Sequence, residues 1–282
     1  MNDIQTTDIE AAKQGDAKAL ETLVRGVQGR IYRLALRMLV NPAAAQDATQ
    51  EILIRIVTKL STFREDSRFE TWVYRVATNY LLTARKIIAN DPDLSFQAFG
   101  EDLLGGLVDE AQASPEDHIM LNELRLRCTM AMLLCLDPPH RAAYVLGEII
   151  EFDHAEAAEA LDISPGSFRK RLSRARSMVQ AFTVEYCGLA DTKARCTCRK
   201  RLPAAVAMGR VGTAPSAEFA QAPTFAEVEA QALHTQASLV AAKLQRATGP
   251  LTPLHDYAAE VLEVVNPPGQ SLYHPNPATE KK

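Results

Sequence analysis

The chain has 282 residues, of which 47% are hydrophobic, only 6% aromatic and 23% charged, with a formal net charge of −4. That length exceeds what one small core organises, and an Ala- and Leu-rich, aromatic-poor composition favours helices in more than one domain. No apolar run reaches the roughly 18–20 residues of a membrane span, and MNDIQTTDIEAAKQGD lacks the basic start and apolar stretch of a secretory signal, so a cytoplasmic protein is expected.

The first predicted element is a helix over 8–39. Ala19, Leu20, Leu23, Val24, Val27, Ile31, Leu34, Ala35 and Met38 recur at helical spacing, and Arg25, Arg30, Arg33 and Arg37 fall largely on other faces. Asn41-Pro42 breaks the pattern, and a second helix follows over about 43–60. Its Leu53, Ile56, Val57 and Leu60 face a core. The opposite stripe, Asp47, Gln50, Glu51, Ile54, Arg55 and Thr58, sets one apolar residue among polar ones, the composition of a protein-docking patch. Single exposed apolar residues are also common on surfaces that bind nothing.

A polar loop, Ser61–Ser67, leads into a third helix over about 67–90. Five of the chain's nine Phe, seven Tyr and one Trp lie within 61–80, interleaved with Arg64, Arg68 and Arg75. Aromatic faces stack on unpaired bases and arginines hold the backbone. Yet Phe69, Trp72, Val73, Val76 and Tyr80 also form a helical core stripe, and core packing is favoured for it. A nucleic-acid face is expected instead at the loop with Phe63 and Arg64, continuing through Arg68, Thr71, Arg75 and Asn79.

Residues 91–117 hold eight acidic residues and no basic one, with two prolines and three glycines, and read as a linker without helical period. The flanking blocks are basic: 13 Lys and Arg against 10 Asp and Glu in 1–90, and again 13 against 10 in 118–202. Two basic blocks around an acidic strip suggest two nucleic-acid-facing modules. Helical periodicity returns at about 118–136, 139–151, 154–161 and 165–183.

The segment HAEAAEALDISPGSFRKRLSRARSMVQAF, 154–182, is the most specific signal. A short Ala-rich helix ends near Leu161, Asp162-Ile163-Ser164 makes a tight turn, Ser164 caps the next helix and Pro165 occupies its first position. This is helix-turn-helix geometry. Phe168, Leu172, Ala175 and Val179 form the apolar stripe, leaving Ser167, Arg169, Lys170 and Arg171 to reach base edges and Arg174 and Arg176 to sit near phosphates.

Cys128 and Cys135 lie on an apolar helix face and read as core. Cys187, Cys196 and Cys198, spaced C-x8-C-x-C before Arg199-Lys200-Arg201, have no fourth ligand at zinc-finger spacing. For these three, zinc, a redox-sensitive cluster and no special role all stay open, and no cofactor is otherwise expected. Beyond residue 203 one helix is predicted at about 223–246 and a further one at 253–265. No glycine-rich phosphate loop, nucleophile elbow or H-E-x-x-H is present, and the six histidines are scattered, so no enzyme is expected.

Taken as a pair, DATQEILIRIVTKLSTFREDSRFETWVYRVATNYLLTARK and LDPPHRAAYVLGEIIEFDHAEAAEALDISPGSFRKRLSRAR resemble the two domains of sigma factors of the extracytoplasmic-function type. The resemblance implies an all-α protein: domain 1–92, an acidic linker 93–117, a helix-turn-helix domain 118–186, and a C-terminal extension 187–282. It implies that the Asp47–Thr58 stripe docks on the clamp helices of the polymerase β′ subunit. The 61–68 loop and following helix would capture the −10 element, and Ser167–Arg176 would read the −35 element. The 118–151 surface would meet the β-flap. Such extensions can modulate activity in place of a separate anti-sigma protein, so core polymerase, promoter DNA, an anti-sigma factor and the chain's own tail are the implied partners. Two departures stand out: the family's turn has a Gly near Asp162, and a Thr-Val pair where this chain has Ser167-Phe168. A helix-turn-helix repressor is the alternative reading, and it leaves 47–80 without a role.

Overall fold

Side-chain caps set the helix boundaries in this computed structural model, which describes residues 6–83, 94–109, 118–212, 223–247 and 255–265. Thirteen α-helices and no extended strand occur among them. They divide into two units, 1–87 with 159–162 and 252–282, and 88–158 with 163–251.

In the first unit the single helix expected over 8–39 is two, α1 (Thr6–Lys13) and α2 (Ala17–Leu39). Gly15 adopts φ +87°, a conformation costly for any other residue, and Asp16 caps α2 by accepting from Ala19 N at 2.8 Å. Asn41 caps α3 (Pro42–Thr58) in the same way through Ala44 N. A 3-10 turn, Leu60–Thr62, then leads to α4 (Phe69–Thr83). Residues 84–90 of the expected third helix lie outside the described residues. Leu20, Leu23, Ile31, Leu34, Ile52, Ile56, Trp72 and Leu81 meet in the core. Arg37 does not face outward as its position suggested. It is buried, donates to Arg33 O at 3.2 Å, and burial pulls its pKa down to about 10. The last described helix, α13 (Tyr257–Val265), also belongs to this unit and packs on α2 and α3.

In the second unit the acidic strip holds a helix that its charge concealed, α5 (Phe96–Leu104), capped by Ser95 and anchored by Phe99 and Leu103. Phe99 stacks on Phe182 with centroids 5.3 Å apart, and Phe182 stacks on Tyr186 at 4.8 Å. The strip is therefore partly built structure and not linker throughout. Next come α6 (His118–Leu134) and α7 (Pro138–Tyr144). A π-helical turn, Val145–Ile149, follows, closed by Ile150 N donating to Val145 O at 2.9 Å. The helix-turn-helix is α8 (His154–Ala160), whose last two residues group with the first unit, and α9 (Pro165–Tyr186).

The extension does not stand apart as a domain. Its helix α10 (Cys198–Ala207) was not expected, and the single helix expected over 223–246 is α11 (Phe225–Leu233) and α12 (Ala237–Arg246). A capping box, Thr224 with Glu227, fixes the start of α11. Leu202, Ala205 and Phe225 share a core with Leu121 and Leu124 of α6. Among the described residues no helix is long and apolar enough to cross a membrane.

Candidate nucleic-acid interface

Ser164 places the start of α9: its hydroxyl accepts from Ser167 N at 3.1 Å, and Pro165 stands at N1, where no N–H is needed. The turn before it needs one left-handed residue, and Asp162 supplies it at φ +53°. Asp and Asn tolerate that region better than other side chains, which accounts for Asp where the family has Gly. Phe168, Leu172, Ala175 and Val179 are buried. Gly147 of the π-turn lets α9 approach closely, since a Cβ there would lie 2.8 Å from Leu172 Cδ2 and 3.2 Å from Phe168 Cζ.

The burial of that stripe turns the basic residues outward. Ser167, Arg169, Lys170 and Arg174 are exposed and Arg171 half-buried. Gly166, Arg169, Lys170, Ser173 and Arg174 line one open groove of about 410 Å³. Arg176 is held differently from its neighbours. Its Nε donates to Glu148 Oε1 at 3.0 Å and its Nη2 reaches the same oxygen, so it ties the recognition helix to the π-turn.

The second predicted face is split by burial. Phe63 and Thr71 are 5% and 2% exposed, which corrects their assignment as nucleic-acid contacts in this conformation. Phe63 packs edge-on to Phe69 at 5.2 Å and against Trp72 at 5.6 Å, completing an aromatic core knot. Arg64, Arg68 and Asn79 are exposed, Arg68 pairing with Glu70 at 3.1 Å. Arg75 is engaged within its own unit, donating to Glu159 O at 3.1 Å and to its carboxylate at 2.9 Å.

On α3, Asp47 is exposed, and Gln50, Glu51, Ile54 and Arg55 are half-buried along one stripe. Arg55 pairs with Glu51 at 2.8 Å and lies over the Tyr80 ring at 4.9 Å. Gln50 is occupied, donating to Glu260 of α13 at 3.4 Å.

Cys128, expected to be ordinary core, shares a cavity of about 30 Å³ with Cys187, Cys196 and Cys198. The convergence was invisible in the sequence because 58 residues separate Cys128 from the next of them. Burial raises all four thiols, Cys196 to about 11, while main-chain hydrogen bonds from Leu189 and Ala190 act the other way on Cys187. Among the described residues no group of three or more His, Cys, Asp or Glu is arranged to hold a metal ion.

Comparison with known proteins agrees with this layout. Residues 23–86 match Sigma-70 region 2 and residues 126–179 match Sigma-70, region 4, so the class is that of proteins carrying both regions. The ECF RNA polymerase sigma factor SigW of Bacillus subtilis is 32% identical over 177 residues, covering 61% of this chain and 92% of that protein. The ECF RNA polymerase sigma-E factor of Escherichia coli is 32% identical over 183 residues, covering 62% and 93%. Among solved structures, CnrH in complex with the cytosolic domain of CnrY is similar at 20% identity and TM-score 0.46, covering 64% of this chain and 96% of that one. The chain belongs to the ECF RNA polymerase sigma factors, the subunits that bind core polymerase and direct it to promoters.

Proposed function

We propose that the first turns of α9 read the −35 element through Ser167, Arg169, Lys170 and Arg171, with Arg174 on phosphate. Arg64, Arg68 and Asn79, joined by Arg75 once it leaves Glu159, contact the −10 element. The α3 stripe of Asp47, Gln50, Glu51, Ile54 and Arg55 docks on the β′ clamp helices. The chain acts in the cytoplasm, by binding and not by catalysis.

The observation that carries this reading is the two-sidedness of α9. One side is buried from Phe168 to Val179, and the other presents exposed cations that make no ion pair among the described residues. A capped, rigid helix bearing donors on its outer N-terminal turns is the geometry that enters a major groove. A repressor would share α9 but would leave the α3 stripe and the Sigma-70 region 2 match without a role.

The test is transcription in vitro with core polymerase on a promoter and its single-base −35 variants. Arg169→Ala or Arg171→Ala should cost about 1–3 kcal/mol on the cognate sequence and lose discrimination at one base position. Equal losses on every variant promoter would reduce α9 to an electrostatic clamp and overturn base reading. Ile54→Asp should abolish co-purification with core polymerase while helicity is kept.

A further inference from the structure

The stripe assigned to polymerase is already partly covered, and the cover is a piece of the chain itself. Helix α13 buries Tyr257, Ala258, Val261 and Val265, a spacing of i, i+1, i+4 and i+8 that gives it one apolar face. That face packs on α2 and α3. Its polar edge is matched too. Asp256 pairs with Arg25 at 3.0 Å, Tyr257 N donates to Gln28 Oε1 at 3.0 Å, and Glu260 accepts from Gln50.

A nine-residue helix is too short to hold itself in water. α13 is therefore helical because α2 and α3 receive it, and leaving them means unfolding it. The seat is also imperfectly matched. The buried Tyr257 hydroxyl has no hydrogen-bond partner among the described residues, an uncompensated desolvation. The Arg25–Asp256 pair is half exposed and so contributes little.

We propose that α13 is an intramolecular competitor of core RNA polymerase. It occupies Gln50 and the neighbouring turns of α2 and α3, and it is displaced when the clamp engages the same stripe. This rests on the assignment of that stripe to polymerase docking. Two bodies cannot occupy one face, so the affinity for core falls by the fraction of molecules in which α13 is undocked. With α13 docked in about nine molecules of ten, the apparent affinity for core is about tenfold lower than that of a chain without it.

The test compares four proteins: the full chain, the chain ending at Leu251, full-length Val261→Asp, and the shortened chain carrying Ile54→Asp. Binding of each to purified core polymerase is followed by fluorescence anisotropy, with thermal unfolding as the check on folding. The shortened chain and Val261→Asp should each bind at least about tenfold more tightly than the full chain. A synthetic peptide of residues 252–282, added in trans, should weaken binding by the shortened chain. Ile54→Asp should remove the gain. Unchanged affinity in both the shortened chain and Val261→Asp overturns the competitor, and weaker binding would make α13 part of the docking surface, overturning it equally. If Ile54→Asp has no effect on the shortened chain, polymerase does not use the stripe, and the docking assignment fails together with the proposal.

Discussion

Replacing Arg176 by alanine removes both guanidinium donors from Glu148, whose side chain is 12% exposed against 41% for the arginine. The two halves of that pair are therefore unequal. The arginine returns much of its surface to water on any rearrangement, whereas the carboxylate stays sunk beside the π-turn without its donors. A fully exposed pair contributes about 0–1 kcal/mol, and breaking a fully buried one costs about 3–5 kcal/mol. The intermediate burial here places Arg176→Ala at about 1–2 kcal/mol, or about 3–6 °C in the thermal midpoint of the second unit. Arg176→Lys should recover only part, because an ammonium cannot present Nε and Nη2 together. Scanning calorimetry of the single variants and of Glu148→Gln/Arg176→Ala closes the cycle, with the double variant expected to be more stable than additivity allows. An unchanged melting point, with a salt dependence of DNA binding reduced by about one phosphate contact, would show that Arg176 serves DNA and that the Glu148 pair carries no stability.

Gly147→Ala should destabilise the second unit by about 1–3 kcal/mol in urea titrations, since its Cβ would lie within 3.2 Å of Leu172 and Phe168 atoms that are themselves buried. The Cys196 thiol has a folded pKa of about 11, raised above the unfolded value by burial, so its contribution is complete below about pH 9 and is lost as pH rises through about 11. Cys196→Ala should accordingly flatten the fall in unfolding free energy between about pH 9 and 11, read from urea titrations, by up to about 2–3 kcal/mol, and an unaltered slope would exclude the thiol as its source. Ending the chain after Phe182 should abolish cooperative unfolding of the second unit in circular dichroism, because it removes Tyr186 and the α10–α12 core, whereas ending it after Leu251 should preserve that transition.

Residues 154–182 were legible because every local signal agreed: the cap, the N1 proline, the apolar stripe and the turn all specify one geometry. Helix α3 was legible for the same reason, through the Asn41 cap, the N1 proline and the buried Leu53, Ile56 and Val57. The split at Gly15-Asp16 was missed because the apolar period runs on through it, although the glycine and the capping aspartate were both there to be read. α5 was hidden by charge. Glu101 is exposed but Asp102 turns inward to pair with the buried Arg201 at 3.0 Å, and in the sequence only the Phe96 and Phe99 pair, which finds Phe182, betrays the buried face. Phe63 and Thr71 could not be placed from sequence, since a loop aromatic or a helical threonine suits a core and a nucleic-acid face alike. The four-thiol cavity depends on tertiary packing of α6 against the α9–α10 connection and left no mark in spacing.

The two halves of the extension are held by forces of different kinds, and this decides which of them can move. Arg125 of α6 is 1% exposed, and burial lowers its pKa to about 10, yet among the described residues no carboxylate meets it. Its guanidinium donates to Asn122 and to two carbonyls at the end of α12, Leu244 O at 3.2 Å and Ala247 O at 3.3 Å. A helix C-terminus carries partial negative charge and unpaired carbonyls, so α12 solvates the buried cation in place of water. Gln245 adds to the lock, accepting from the Tyr144 hydroxyl at 2.8 Å and donating to Thr129 O at 3.2 Å. Lifting α12 away would strand a buried cation, an amide and a phenol at once, a penalty of several kcal/mol that no small ligand change offsets. Among the described residues α13 has no comparable anchor: its departure exposes four largely apolar side chains, frees Gln28 and Gln50 from one hydrogen bond each, and opens an ion pair already half in water. Residues 187–212 and 223–247 are thus part of the fold of the second unit, and the segment suited to reversible release is the one that lies over Gln50.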